Sequence, residues 1–278
     1  MHDSPVSKTG FLAAFIVSLL FSIASFVSGG ENSSFVVFCD VGQGDASYIH
    51  LKPNIDIIID AGKQSSVLNC LGKYMPANDK IIELAFITHL QNDHYGGLLQ
   101  IPLRYQVKQI YISELKTESK DARALLALLR DEEIKVDVIY AGDSLTVQTA
   151  VFKMLWPTED YIQASTSKDD PNDGSQVMIF KYNDHAILYT GDVSPKSLKM
   201  LLQQTVPKVE ILKVPHHGSK NGLIYDFLSL ADPIYSVISV GKNNSYNHPS
   251  PEILTMLSEN GTEILRTDRL GDVIFKLD

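Results

Sequence analysis

Cysteine is scarce in this chain of 278 residues, which contains only Cys39 and Cys70. Two cysteines exclude the multiple-disulfide framework by which small secreted domains are held together. Cys39 falls inside an apolar segment that is typical of a core strand. A buried free thiol there is favoured over a bridge between Cys39 and Cys70.

Basic residues are also in the minority, with 24 lysines and arginines against 33 aspartates and glutamates and a net charge of −9. This acidity argues against a broad, sequence-independent grip on DNA or RNA, because such binding needs a face rich in lysine and arginine. Hydrophobic residues make up 44% of the chain, which is ordinary for a globular protein with a sizeable core.

Charge is missing altogether from residues 11–28, which follow Lys8 and precede Gly29. As a helix, this segment would reach ~27 Å, close to the ~30 Å hydrocarbon core of a bilayer. Two alternatives remain open: a membrane anchor with Lys8 in the cytoplasm, or a cleaved secretory signal. The anchor is favoured. Either alternative divides the chain into an N-terminal segment, 1–30, and a folded domain, 31–278, that lies outside the cytoplasm.

The folded domain is strand-rich at first and then alternates between strands and helices. Apolar patterns and turn residues predict strands at 35–39, 46–51, 55–60, 82–88, 107–113, 136–140, 176–182, 186–190, 209–214 and 234–240. Hairpins are predicted at 144–156 and at 263–276, and helices at 65–74, 97–104, 119–132, 195–203, 222–230 and 249–260. The polar stretch 158–172 is predicted to be a long loop of the kind that often forms a lid or a binding element. Together the elements predict an α/β sandwich of two sheets packed face to face with helices outside.

Two imidazoles and a carboxylate lie within six residues, from His89 to His94, where the strand at 82–88 ends. Neutral nitrogens and hard oxygens converging on one cation are typical of a hydrolytic metal site. The indication is strengthened by Thr190-Gly191-Asp192 and by Pro215-His216-His217-Gly218-Ser219, which also follow apolar runs.

These motifs resemble those of the metallo-β-lactamase superfamily, and within it the extracytoplasmic hydrolase domains of ComEC-type competence proteins. The resemblance covers about residues 35–277 in family order. It rests on the stretches 38–45, 59–62, 89–97, 172–175, 190–192, 215–219, 246–249 and 266–268. It implies an αββα sandwich of two mixed sheets that holds one or two divalent metal ions, zinc or manganese.

The resemblance also implies roles for individual residues. Asp93, His94, Asp192 and either His216 or His217 would form one metal site, with Asp192 shared with the other site. The other site would hold His89 with oxygen donors from Asn172 or Asp173, and it is expected to be weaker because Gln91 stands where the superfamily has a second histidine. Asp93 would orient an attacking water or take its proton.

The remaining candidates surround these ligands. Asp60 resembles the aspartate that orients metal-bound histidines, and His248 is expected to contact the substrate phosphate or to act as a general acid. Asp40 and Asp45 flank a turn formed by Gly42, Gln43 and Gly44. The backbone amides of this turn could face substrate, or the glycines could serve turn geometry alone. Ser219 belongs to the histidine motif. Arg266 could bind phosphate or pair with Asp268 or Asp40. His2, His50 and His185 match no motif and are expected at the surface.

The function that the resemblance implies is metal-dependent hydrolysis of a phosphodiester, with single-stranded DNA as a candidate substrate, by a nuclease-type domain. A separate channel subunit would be required for DNA uptake, since the chain has at most one apolar segment that could span a membrane. The alternatives are hydrolysis of small or envelope phosphodiesters, and a non-catalytic metal-binding module.

Overall fold

The computed structural model describes residues 33–113 and 119–278. The predicted anchor or signal at 11–28 lies outside the described residues. Among the helices that the structure does describe, none is long and apolar enough to cross a membrane.

The strands of the described chain form two mixed sheets of seven strands each. The first sheet has the order β14-β1-β2-β3-β4-β5-β6, with strands β1 (Phe35–Phe38), β2 (Ala46–Leu51), β3 (Ile55–Ala61), β4 (Ile81–Ile87), β5 (Gln106–Ile112), β6 (Lys135–Val138) and β14 (Val273–Lys276). The second sheet has the order β13-β12-β11-β10-β9-β8-β7, with strands β7 (Ser144–Val147), β8 (Ala150–Trp156), β9 (Val177–Tyr182), β10 (His185–Tyr189), β11 (Ile211–Lys213), β12 (Tyr235–Ile238) and β13 (Glu263–Arg266).

The two sheets face each other across a dry aromatic and aliphatic core. Side chains alternate along β1, so that Val36 and Phe38 face the second sheet while Phe35 and Val37 face the helices. Phe86 of the first sheet meets Phe152 of the second with ring centroids 4.8 Å apart. The architecture confirms the predicted α/β sandwich of two mixed sheets.

Helices cover the outer face of each sheet. They are α1 (Ser66–Tyr74), α2 (Asn92–Tyr95), α3 (Lys120–Asp131), α4 (Glu159–Ala164), α5 (Pro195–Leu201), α6 (Tyr225–Ala231), α7 (Pro251–Asn260) and α8 (Thr267–Leu270). The apolar faces of α1 and α3 pack on the first sheet, and those of α5, α6 and α7 pack on the second. Strands β3 to β6 are parallel in the first sheet, as are β10 to β13 in the second.

The predicted closing hairpin at 263–276 is wrong. Strand β13 pairs in parallel with β12, whereas β14 pairs antiparallel with β1 in the opposite sheet. The short helix α8 lies between them, and its buried residue Thr267 accepts a hydrogen bond from the backbone N–H of Val240. The chain therefore crosses from one sheet to the other instead of turning back.

Two helix and loop predictions also need correction. The segment at 97–104 forms two short 3₁₀ turns, Gly96–Leu99 and Ile101–Leu103, because glycines and Pro102 do not sustain an α-helix. The expected loop at 158–172 contains the helix α4. Thr158 caps it by accepting a hydrogen bond from the N–H of Tyr161, and Ile162 is buried beneath it.

Cys39 and Cys70 form a disulfide, so the expectation of a free thiol is wrong. The bridge joins the end of β1 to α1, with Cα atoms 5.9 Å apart, inside the distance range of ordinary disulfides. A sequence separation of 31 residues gave no local sign of this pairing.

His50 is fully buried, so the expectation that it lies at the surface is also wrong. Its Nδ1 atom lies 2.8 Å from Oδ1 of Asp56, the residue opposite it on β3. Tyr48, two residues earlier on the same face of β2, donates its hydroxyl to the same carboxylate. His185, by contrast, is partly exposed and pairs with Glu210 at 2.7 Å, and His2 lies outside the described residues.

Candidate metal centre

Polar side chains converge where several parallel strands of both sheets end. Thr88 and His89 follow β4, Asp60 is the next-to-last residue of β3, and Asp192 follows β10. The 3₁₀ turn Pro215–Gly218 follows β11. The carboxyl ends of parallel strands are the usual place for a ligand site in an α/β fold.

Asp60 fixes the orientation of His94. Its Oδ2 atom lies 2.8 Å from Nδ1 of His94 and accepts the hydroxyl of Thr88 at the same distance, while Oδ1 accepts the N–H of Thr88. Because a carboxylate only accepts, Nδ1 of His94 carries a proton. The charges of Asp192 and Asp60 raise the pKa of His94 well above its ordinary value against the effect of burial, so a metal would displace the second proton, on Nε2. Asp60 adopts a positive φ of 57° to make these contacts.

His89 lies beside His94, with ring centroids 4.1 Å apart, and is fully buried. Its Nδ1 atom is 3.2 Å from the hydroxyl of Thr88 and 3.3 Å from that of Ser175. Burial and the neighbouring His94 together lower the pKa of His89 to about 3, so the ring is neutral. A neutral imidazole is the form that binds a metal ion.

The adjacent histidines of the 3₁₀ turn have different positions. His217 is buried, and its Nδ1 lies 3.0 Å from the carbonyl oxygen of Ser239, which leaves Nε2 facing the cluster. That Nε2 lies 3.4 Å from Asp192 and 3.7 Å from Asp93. His216 is partly exposed, with Nε2 3.9 Å from Asp192. Both have positive φ values, 53° and 54°, a strained geometry that presents both rings on one side.

Asp192 lies at the centre of the cluster. Its two oxygens lie 3.2 Å from Nε2 of His94 and 3.4 Å from Nε2 of His217. Burial alone would raise its pKa, but the charges of His217 and His94 hold it well below the usual range. The preceding Gly191 has φ of 47°, and a Cβ there would come within 2.1 Å of Ser175 Oγ, so the turn requires glycine.

Asp45 joins the cluster from the glycine turn after β1. Its Oδ1 lies 3.2 Å from Nδ1 of His217, and its N–H donates to the carbonyl of Asp93 at 3.1 Å. A Cβ at Gly44 would lie 2.5 Å from that same carbonyl, so the turn packs directly on the Asp93 backbone. The contact explains why the turn carries glycine at this position.

Lys213, at the end of β11, was not identified from the sequence. It is buried, and its ammonium group contacts Oδ2 of Asp45 and donates to the carbonyl of Gly191 at 3.2 Å. A lysine inside the otherwise apolar run at 211–214 was the signal that could have indicated a buried charge partner.

The donor set fits a metal ion. The Nε2 atoms of His89, His94 and His217 and one oxygen of Asp192 are buried and have no hydrogen-bond partner among the described residues. Ligand atoms lie within 4.8 Å of one another in the groups His89, His94, Asp192 and Asp93, His94, His217. Charge from Asp192 and Asp45 raises the pKa of His217 to about 9 against the effect of burial, so a metal would displace a proton from it.

Other residues identified from the sequence are not brought into the cluster. The carboxylate of Asp173 contacts Ser194 Oγ at 2.5 Å and Lys196 Nζ at 2.7 Å. Arg266 pairs with both oxygens of Asp268 at 2.9 and 2.7 Å. Asn172 is buried, and its side-chain oxygen has no hydrogen-bond partner within the described part of the chain.

The remaining candidates serve the surrounding loops. Asp40 accepts the N–H of Gly42, Gln43 accepts that of Gly241, and Ser219 accepts that of Asn221. The carbonyl oxygen of Gln91 accepts the N–H groups of His94 and Tyr95 and thereby begins α2.

His248 lies at the mouth of the cluster. Its ring is edge-on to His216 with centroids 5.9 Å apart, and its Nδ1 is buried without a hydrogen-bond partner in the described ranges. Burial and the charges of His217 and His216 lower its pKa, so the ring is neutral near pH 7.

A family model described as the metallo-beta-lactamase superfamily matches residues 40–242. This range includes the candidate metal ligands His89, Asp93, His94, Asp192 and His217. The chain belongs to this superfamily. It is 27% identical to ComE operon protein 3 of Bacillus subtilis over 98% of this chain and 36% of that protein. It is 31% identical to competence protein ComA of Neisseria gonorrhoeae over 89% of this chain and 33% of that protein.

The chain thus spans about a third of the length of these competence proteins. Among solved structures, the metallo-beta-lactamase fold protein YhfI of Bacillus subtilis superimposes with a TM-score of 0.60 at 14% identity, covering 87% of this chain and 99% of that one. This likeness shows the fold. The ComEC-like resemblance drawn from the motifs is confirmed by the competence relatives.

Proposed function

We propose that this protein is a metal-dependent phosphodiesterase with nuclease-type activity on single-stranded DNA. The observation that carries the proposal is the convergence of three buried Nε2 atoms with Asp192 and Asp93 at the open ends of the parallel strands. Each imidazole has its other nitrogen engaged by a fixed partner, which presets the cluster for a cation.

The proposed ligands are His89, His94, His217, Asp93 and Asp192. A divalent ion such as zinc or manganese, bound there, supplies positive charge that activates a water and stabilises the negative charge that develops on a phosphodiester. Asp93 is the most exposed carboxylate of the set, with 21% of its side chain accessible against 2% for Asp192. It is therefore placed to orient a water at the open side and to pass a proton to solvent.

Two carboxylates of the acidic stretch 158–173 have fixed partners. Asp173 is paired with Lys196, which offsets one negative charge, and Asp169 accepts hydrogen bonds from the backbone and hydroxyl of Thr166.

The proposed location is the cell membrane with the catalytic domain outside the cytoplasm. The disulfide between Cys39 and Cys70 supports this, because disulfides persist mainly in oxidising compartments. The apolar segment at 11–28 would hold the protein in the membrane. A separate channel subunit is the proposed partner for a role in DNA uptake, which the competence relatives suggest.

The activity is tested with purified protein, zinc or manganese, and three substrates: bis-p-nitrophenyl phosphate, single-stranded DNA and a β-lactam. We expect hydrolysis of both phosphodiesters, and a loss of at least about a hundredfold in Asp192→Ala. Asp226→Ala, which alters an exposed carboxylate on α6, is the matched control.

Two results would redirect the proposal. Turnover of the small ester without turnover of DNA would favour small or envelope phosphodiesters as substrates. Protein that binds close to no metal would favour a non-catalytic module.

The location is tested by adding protease to spheroplasts. Digestion of residues 31–278 with cytoplasmic markers intact is expected. Recovery of a soluble form that lacks the first thirty residues would favour a cleaved signal, and full protection would contradict the extracytoplasmic placement.

A further inference from the structure

An exposed aromatic ring lies at the mouth of the metal centre. Tyr246 is 59% exposed, although tyrosine rings usually bury most of their surface. Its ring is nearly parallel to that of His248, with centroids 5.7 Å apart and planes 26° apart. His248 is in turn edge-on to His216, which lies beside Asp192. The three rings thus lead from the metal ligands to solvent.

The loop that carries Tyr246 is held in one conformation by Asn244. The side-chain amide of Asn244 donates to the carbonyl oxygens of Gly241 and His248 at 3.0 and 2.7 Å. Its oxygen accepts the N–H groups of Tyr246 and His248 at 3.1 and 3.0 Å. One side chain therefore fixes the backbone on both sides of the exposed ring.

The loop is also anchored to the rest of the site. The N–H of Gly241 donates to the side chain of Gln43, and a Cβ at Gly241 would lie 2.6 Å from the Gln43 backbone nitrogen. The exposed ring is thus part of a built surface joined to the glycine turn that contacts Asp93.

We propose that Tyr246 and His248 form a stacking platform for the unpaired nucleobase next to the scissile phosphate. The proposal rests on the proposed phosphodiesterase activity and narrows its substrate to nucleotide diesters with unpaired bases. Flat neutral rings presented to solvent beside a charged centre are what proteins use to hold single-stranded bases without reading their sequence. Lys242, exposed in the same loop, adds positive charge that would attract the phosphate backbone of a nucleic acid substrate.

The position of His248 supports this role. Its ring lies between those of Tyr246 and His216, with centroids 5.7 and 5.9 Å away. A quaternary ammonium group is the other ligand that aromatic faces hold, but it is usually enclosed by several rings. Tyr246 offers one open ring.

The test compares three esters that share the p-nitrophenyl leaving group: thymidine 5′-(p-nitrophenyl phosphate), p-nitrophenyl phosphorylcholine and methyl p-nitrophenyl phosphate. In Tyr246→Ala the ratio of kcat/KM for the thymidine ester to that for the methyl ester should fall about tenfold or more. Tyr246→Phe should retain the ratio, because the ring remains. Tyr225→Ala, which removes another exposed tyrosine (56%) on α6, is the matched control.

Binding supplies a second measurement that does not depend on turnover. Fluorescence anisotropy of the chelator-treated protein should show tighter binding of a labelled oligothymidylate than of an abasic strand of equal length and charge. That preference should be lost in Tyr246→Ala.

The outcomes separate the two proposals. Absence of turnover of every ester would contradict the phosphodiesterase, whereas turnover with an unchanged ratio in Tyr246→Ala would overturn the platform alone. Equal affinity of the unaltered protein for the two strands, or a Tyr246→Ala effect confined to the choline ester, would also overturn it.

Discussion

The ammonium group of Lys213 contacts the carboxylate of Asp45, and both side chains are buried. The same group lies 4.0 Å from Oδ1 of Asp192. A fixed positive charge of the chain therefore offsets part of the negative charge around the proposed metal ligands. It also opposes a divalent cation that approaches Asp192, because like charges at this separation repel.

Replacing Lys213 by methionine should change stability and metal affinity in opposite directions. The free energy of unfolding of metal-free protein should fall by about 3 kcal/mol, because the buried carboxylate of Asp45 loses its lysine partner. Metal affinity should rise, since the repelling charge is gone. Urea denaturation in chelator and calorimetric titration with zinc measure the two effects. Lys196→Met is the control: the Lys196 side chain is 60% exposed, so loss of its pair with Asp173 should change stability by less than about 1 kcal/mol. A Lys213→Met protein with weaker metal binding would contradict this account.

The two adjacent histidines should differ in their effect on metal binding. His217→Ala should lower zinc affinity by at least about a hundredfold, because it removes a buried nitrogen that faces Asp93 and Asp192. His216→Ala should lower it by less than about tenfold, since its ring lies at the edge of the cluster. Competition with a chromophoric chelator measures both values, and the reverse order would show that His216 is the ligand.

The site containing His89 should hold its metal loosely. We expect one tightly bound ion and a second weak one, because Gln91 offers a neutral amide that binds transition metals poorly. Gln91→His should tighten the weak ion, and Gln100→His, a change further along the chain, should not. Titration that finds two equally tight ions in the unaltered protein would refute the expectation.

Reduction of the disulfide should destabilise the protein. A bridge closing a loop of this length contributes about 4 kcal/mol, chiefly by restricting the unfolded chain. The urea midpoint should therefore fall on adding dithiothreitol. A Cys39→Ala/Cys70→Ala protein should show the lower midpoint in both conditions, and a response of that double variant to dithiothreitol would point to another cause.

Asp272 should make stability depend on pH in the acid range. Burial alone would raise its pKa, but the N–H of Asp40 and the side chains of Lys73 and Tyr74 hold it below the ordinary 3.8. A carboxylate with a lowered folded pKa contributes stability above its unfolded pKa and loses it as pH falls through the folded value. Asp272→Asn should therefore cost about 1 kcal/mol at pH 7, since the site is partly exposed, and this cost should shrink as pH falls below the ordinary carboxyl pKa. Denaturation at several pH values measures this, and an equal loss at every pH would exclude a charge effect.

Local pattern and motif spacing were enough to predict most strands and the grouping of His89, His94, Asp60 and Asp192. They failed where the deciding contact is distant in sequence. Strand β13 and β14 look like a hairpin, yet each finds a better-packed partner elsewhere, on β12 and β1.

The same limit applies to charged and polar side chains. Nothing adjacent to Lys213 in sequence reveals Asp45, which is 168 positions earlier, and His50 gave no sign of its pairing with Asp56 across the strand turn. Asp173 was predicted at the cluster from motif position alone, but Lys196 and Ser194 hold its carboxylate elsewhere. Side-chain direction in a loop depends on such partners, and spacing does not encode it.

The pairing of β14 with β1 brings the two ends of the described fold together. The carbonyl of Ser34 accepts the N–H of Leu277 at 2.8 Å, and the N–H of Ser34 reaches the carboxylate of Asp278 at 3.1 Å. A short peptide could therefore join residue 278 to residue 34, and the circular chain could be opened at a surface turn without disturbing the sandwich. This meeting point lies at the end of β1 remote from the glycine turn and the metal ligands. A tether attached there would join the fold at the end of β1 opposite to the proposed metal ligands.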